Sequence, residues 1–183
     1  MKKSLSIILA LTVMIFFALD MAGFAKTPQY IGVKKCKMCH NSKRSGEQFK
    51  IWAASPHAKA YETLGTDEAK AIAKKMGIED PQKSDKCLVC HVTGYGKDAS
   101  MFASSFKMEE GVGCEACHGP GSEYKSMKVM KGIYKGELKA EDYGLMMPDE
   151  NHCKTCHNEK SPTYKKFDFK TFWSKIAHPV PQH

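Results

Sequence analysis

The sequence predicts a compact, mostly α-helical domain with long wrapping loops and an interior filled largely by bound groups. Three observations carry that expectation. The eight cysteines of this 183-residue chain fall into four identical Cys-x-x-Cys-His runs, and eight histidines accompany them. Where local signals are sharp they are helical: Thr66 can cap a helix, Asp67 and Glu68 suit its positive end, and Gly77 can close it. No βαβ pattern occurs, and 26% charged with 42% hydrophobic residues excludes both a disordered chain and a polytopic membrane protein. This length holds one domain, or two small ones.

Taken in chain order, the first element is an export signal. Lys2 and Lys3 precede an uncharged apolar run from Ser4 to Leu19, and Gly23-Phe24-Ala25 supplies small residues for cleavage after Ala25. Residues 1–25 are therefore expected to leave, with residues 26–183 as the mature domain. An uncleaved anchor is the alternative, but the run is shorter than the about 20 residues a span requires. No cysteine follows it directly, so no lipid anchor is expected. The mature protein is expected in the periplasm, without a stable membrane anchor, and extracellular placement is the lesser alternative.

Cleavage removes Lys2, Lys3 and Asp20, leaving 26 basic and 19 acidic groups in 158 residues, a formal +7. A basic chain raises the possibility of nucleic acid as a partner. Export and the scattering of Lys34, Lys59, Lys74, Lys107, Lys139 and Lys165 argue against it.

The four runs are Cys36-Lys-Met-Cys39-His40, Cys87-Leu-Val-Cys90-His91, Cys114-Glu-Ala-Cys117-His118 and Cys153-Lys-Thr-Cys156-His157. Cys-x-x-Cys-His is the attachment site of c-type haem. Each thiol adds to one porphyrin vinyl group, and the adjoining histidine is carried under the iron as proximal ligand. Zinc does not require a histidine after every pair, a thioredoxin motif occurs once near a βαβ unit, and a disulfide framework does not place every cysteine in identical short pairs. Four covalent haem c groups are expected, held by Cys36, Cys39, Cys87, Cys90, Cys114, Cys117, Cys153 and Cys156, with His40, His91, His118 and His157 on the irons.

At about 40 residues per haem there is little room for a polypeptide core, so the porphyrins themselves are expected to form most of it. Beyond the helix from Asp67 to Met76, a second is expected over Glu47 to Leu64, broken or restarted at Pro56. Glycines crowd the second and third motifs at 94, 96, 111, 113, 119 and 121. They suit close backbone approach to a porphyrin face, with ordinary turns as the alternative.

Four histidines remain for the distal positions: His57, His152, His178 and His183. His57 follows an aromatic segment and His178 precedes Pro179; both are candidate distal ligands. His152 adjoins Cys153 and would serve a haem other than its own, while His183 ends the chain. Methionines compete, with Met127, Met130, Met146 and Met147 between the third and fourth motifs.

The flanks of the motifs carry a family resemblance. Tyr30-Ile-Gly32, the stretch Trp52 to Ala60, Cys87-Leu-Val-Cys-His-Val-Thr-Gly-Tyr-Gly96, Gly111-Val-Gly-Cys-Glu-Ala-Cys-His-Gly-Pro-Gly121, Ser161-Pro162 and His178-Pro179 together resemble the cytochrome c-554 family across nearly the whole mature chain. The resemblance implies a mostly helical tetrahaem module with haems in close pairs, passing electrons between periplasmic redox partners. It implies three bis-histidine haems and a second-motif haem without a distal protein ligand, with His57 and His178 at distal positions. His152 lies near, but not at, a family histidine. One departure stands out: the family places a distal histidine just beyond the Gly-Pro-Gly of the third motif, where this chain reads Ser122-Glu-Tyr-Lys-Ser-Met-Lys128.

Haem also alters the charge. Each ferric haem c contributes about −1 and each ferrous one about −2, so the mature +7 becomes about +3 oxidised and about −1 reduced. Three functional readings stay open: an electron carrier between redox proteins, which the sequence favours; a small reductase using a five-coordinate haem on nitrogen oxides, hydroxylamine or a sulfur oxyanion; and a self-associating subunit of an extracellular cytochrome filament.

Overall fold

The computed structural model describes residues 27–179, so the expected signal sequence and His183 lie outside the described residues. Among the described residues there are nine short α-helices and five 3-10 turns joined by long loops, and the only strand pairing there is an isolated bridge between Tyr30 and Phe102. In order the helices are α1 Val33–His40, α2 Gln48–Ala54, α3 Ala60–Thr63, α4 Asp67–Lys75, α5 Asp85–His91, α6 Cys114–His118, α7 Met127–Tyr134, α8 Glu150–Lys154 and α9 Phe169–Ile176. No helix among the described residues is long and apolar enough to cross a membrane.

Local chemistry sets several boundaries. Thr66 Oγ1 accepts from Ala69 N at 3.3 Å to open α4. At its other end Gly77 N donates to Lys74 O and Ile78 N to Ala73 O, with Gly77 at φ 69°, so both late carbonyls are satisfied. The expected helix over 47–64 is interrupted where Pro56 predicts. α2 ends at Ala54, Ser55 is extended, and a 3-10 turn over Pro56–Lys59 restarts the chain into α3. Ser126, Asp149 and Asp168 cap α7, α8 and α9 by accepting from backbone N–H groups two or three positions into each helix.

The buried apolar set is small: Tyr30, Ile31, Val33, Leu64, Ala73, Leu88, Val92 and Tyr124, none of them a fully buried large side chain. One cluster unites Leu64, Leu88 and Val92 under Tyr61, Cys87 and Tyr95. A second seats the N-terminal segment, where Tyr30 stacks on Phe102 at 5.3 Å and Phe106 tilts against both rings. Polypeptide packing alone on this scale is meagre for a domain of this length. Meanwhile Met38 is 78%, Met147 71% and Val89 56% exposed, apolar surface that attached porphyrins can cover.

The glycines around the second and third motifs mostly serve approach of chain to chain. A Cβ on Gly94 would meet the Tyr30 ring, one on Gly113 the Val33 side chain, and one on Gly121 Ile31 and Glu115. Gly119, at φ 77°, would place a Cβ 2.5 Å from the Gly144 carbonyl. Only at Gly96 among these six is the space around the Cβ position open. Close contact with polypeptide thus explains five of the six, which differs from the porphyrin contacts expected from the sequence.

Candidate haem centres

Each motif sits on one helical turn, and that follows from its spacing. Residues i, i+3 and i+4 share a helix face, so two thiols and the histidine of Cys-x-x-Cys-His emerge on the same side. The first and second motifs end α1 and α5 on His40 and His91, and α6 spans the whole of the third. The fourth begins in α8 and continues in a turn in which His157 N donates to Cys153 O at 3.0 Å.

Long-range hydrogen bonds fix the turns relative to one another. Trp52 Nε1 donates to Val112 O at 2.8 Å, and Val112 N donates to His57 O at 3.1 Å, so His57 is held against the approach to the third motif. Thr93, just past the second motif, donates through Oγ1 to Gly111 O at 3.0 Å and accepts from Gly113 N at 2.8 Å. Glu115, inside the third motif, accepts from Ile31 N, Gly32 N and Gly121 N, and Glu110 accepts from Val33 N at 2.9 Å.

All eight cysteines are free thiols in this structure. They neighbour one another between motifs. The neighbouring Cys114 and burial push the Cys36 thiol up, while the same neighbourhood holds Cys114 down against the opposing effect of burial. Burial and the adjacent Cys156 push Cys90 up to about 11, and burial with Cys153 nearby pushes Cys117 up to about 11. The motifs are thereby connected first to third, third to fourth, and fourth to second.

The histidines show two ring pairs. His57 faces His157 with centroids 5.9 Å apart and rings at 89°, and His118 faces His178 at 5.8 Å and 44°. Two imidazoles binding one metal at about 2 Å through their nitrogens have centroids roughly 6 Å apart. Burial, first among the causes, holds all four rings below their ordinary pKa and so keeps a nitrogen lone pair available. His118 Nδ1 lies 3.0 Å from Met146 O and His91 Nδ1 2.7 Å from Ala60 O. In each the carbonyl selects the tautomer with hydrogen on Nδ1 and leaves Nε2 for a metal. Phe167 stacks on His157 at 4.9 Å and Phe172 lies behind it.

His40 and His91 make no such histidine pair among the described residues. His152 directs Nε2 to the Ala116 carbonyl at 2.7 Å, leaving Nδ1 as its free ring nitrogen. Met127 and Met147 are largely exposed. The sequence reading missed Glu115 and Glu110. An acid between the two cysteines of the third motif, absent from the other three, is the signal that marks Glu115.

The side chains fit covalent haem on structural grounds: thiols paired at one-turn spacing, tautomer-fixed histidines beside them, two ring pairs one metal apart, and apolar surface left uncovered. Among the described residues no three or more His, Cys, Asp or Glu side chains converge as a bare metal site. A helical, loop-rich domain bearing four such motifs is a multihaem c-type cytochrome.

The family described as cytochrome c554 and c-prime matches residues 35–119. Cytochrome c-554 of Nitrosomonas europaea is 35% identical over 150 residues, covering 74% of this chain and 60% of that protein. The chain therefore spans about 60% of the length of this curated relative. The structure of reduced cytochrome c554 from Nitrosomonas europaea superposes with a TM-score of 0.52 at 28% identity, covering 81% of this chain and 78% of the other. The chain belongs to the cytochrome c-554 family, and its cofactor complement is four covalently attached haem c groups.

Proposed function

We propose that the protein is a periplasmic electron carrier, accepting electrons from one redox protein and delivering them to another. The observation that carries this reading is that every motif has a neighbour. Cys36 lies near Cys114, Cys117 near Cys153, and Cys156 near Cys90, so no motif is isolated. The spatial order is first, third, fourth, second, with the first and second motifs at the two ends of the run. When bound, haem supplies a one-electron iron couple whose potential responds to axial ligands, burial and nearby charge.

The chain's own residues hold and tune. The eight cysteines attach, and His40, His91, His118 and His157 serve as proximal ligands. His57 is the distal partner of His157, and His178 that of His118, as the two ring pairs support. Phe167 and Phe172 shield His157 from water. His152, with Nε2 on the Ala116 carbonyl and Nδ1 free, is the further candidate distal ligand, for a haem other than its own. The periplasmic location rests on the export signal expected from Lys2, Lys3 and the apolar run Ser4 to Leu19.

The test is electron paramagnetic resonance on the oxidised holoprotein and on His57→Ala and His178→Ala. Both variants should retain four haems by mass, because attachment uses cysteines, and each should gain one high-spin iron. A variant whose spectrum stays that of the parent refutes its ligand assignment.

A second reading, a small haem reductase, is favoured by one observation: His40 and His91 lack a paired histidine among the described residues. Cyanide or nitric oxide binding to the oxidised or reduced holoprotein supports it, and a wholly low-spin protein inert to both refutes it.

A further inference from the structure

Among the described residues Glu115 is the most buried charged group, 3% exposed, and no lysine, arginine or histidine there forms an ion pair with it. A lone buried carboxylate is costly unless hydrogen bonds compensate it. Here they do. Oε1 accepts from Ile31 N at 2.8 Å and Gly121 N at 2.7 Å, and Oε2 from Gly32 N at 2.7 Å and Ile31 N at 3.0 Å. Every partner is an N–H donor. Both oxygens are used as acceptors and none of these partners can receive a carboxylic proton, which is the environment of an ionised group. Burial raises its pKa and the three backbone donors oppose that rise.

Its position gives this charge a consequence. Glu115 directly follows Cys114 of the third motif, and its donors are the residues that lead into α1, which carries the first motif. The Cys36 and Cys114 sulfurs meet beside it, and burial together with its charge raises the Tyr30 and Tyr124 hydroxyls. Glu110 reaches the same helix start through Val33 N, and its other oxygen is buried without a partner. The two haem-bearing turns are thus joined through an acidic centre.

We propose that Glu115 is a positioning and potential-setting residue: it locks the first and third haem motifs together and, as a fixed buried anion between them, holds down the reduction potentials of the two haems they attach. The physical reason is that a nearby negative charge favours the ferric state, and low polarity strengthens the effect. The proposal requires the four attached haems but not electron delivery to any partner, so it stands or falls separately from the carrier reading.

The test uses the holoprotein, Glu115→Gln and Glu115→Asp, with haem number by mass and potentials by spectroelectrochemical titration, the haems distinguished by the proton resonances of their methyl groups. Glu115→Gln keeps the shape and removes the charge. It is expected to shift the first- and third-motif haems upward and leave the other two in place. Glu115→Asp keeps the charge and is expected to retain the parent potentials. Superimposable titrations for Glu115→Gln and the parent, or an equal shift of all four haems, overturn the proposal. If Glu115→Gln does not acquire four haems, Glu115→Asp decides: an upward shift there overturns it, and parent potentials uphold it.

Discussion

Thr93→Val isolates the tie between the second and third haem motifs. Thr93 is 4% exposed, and valine has nearly its shape, so the change removes hydrogen bonding without opening a cavity. Two bonds disappear: Oγ1 to Gly111 O, and Gly113 N to Oγ1. Gly111 O keeps a donor in Thr93 N at 3.0 Å, so its loss is partial. Gly113 N is buried and has no other partner, and leaving such a donor unpaired costs about 1–3 kcal/mol, with about 1 kcal/mol more for the lost hydroxyl bond. The added methyl returns up to about 1 kcal/mol. The expected destabilisation is about 1–4 kcal/mol, or a fall in Tm of about 2–16 °C for a domain of this size. Urea unfolding of the holoprotein, followed by circular dichroism, should show a lower midpoint with an unchanged slope. Thr63→Val is the control: Thr63 is exposed and bonds only to Lys59 O, so its change should stay within about 0.5 kcal/mol. A Thr93→Val protein that carries four haems and unfolds within that margin refutes the assigned role.

Gly119→Ala places a Cβ 2.5 Å from Gly144 O at φ 77° and ψ 172°, a region nearly closed to other residues, and should cost about 2–4 kcal/mol in the same unfolding assay. Gly136→Ala, at φ 72° with open space around the Cβ position, should cost about 1–2 kcal/mol, and equal losses would rule out the steric component. Burial disfavours the protonated form of His57, His118, His157 and His178 in the folded chain, and the iron ligation proposed for them likewise requires neutral rings. The unfolded chain then binds more protons below the ordinary histidine pKa of about 6.5, so stability is full above that pH and falls as pH drops through it. Urea midpoints measured from pH 8 to pH 5 should decline on the acid side, and a flat or rising profile contradicts the sign.

The readable parts of this protein are those written in short stretches of chain. Cys-x-x-Cys-His carries its geometry within one helical turn. Thr66 and Gly77 bound α4 through hydrogen bonds spanning a few residues, and Pro56 breaks the segment from Glu47 to Leu64 by removing a donor and fixing φ. The amphipathic helices α7 and α9 went unmarked, although Ser126 and Asp168 are recognisable caps, because neither helix contains a haem motif to draw attention to it. Histidine pairing was not legible at all. His57 and His157 are separated by 100 positions, and nothing near either one specifies the other. Glu115 likewise reads as a solvated acid until Ile31 N, 84 positions away, is found on its carboxylate.

The sequence by itself determined the number of haems, their mode of attachment and the family, since each depends on residue identity at spacings of one to four. Only the tertiary structure decided the order in which the motifs meet, which histidines face one another, and that a buried carboxylate held by backbone donors lies between the first and third motifs. Those features arise between residues from 36 (Cys117 and Cys153) to 100 (His57 and His157) positions apart, where chain closure costs entropy that no local pattern encodes.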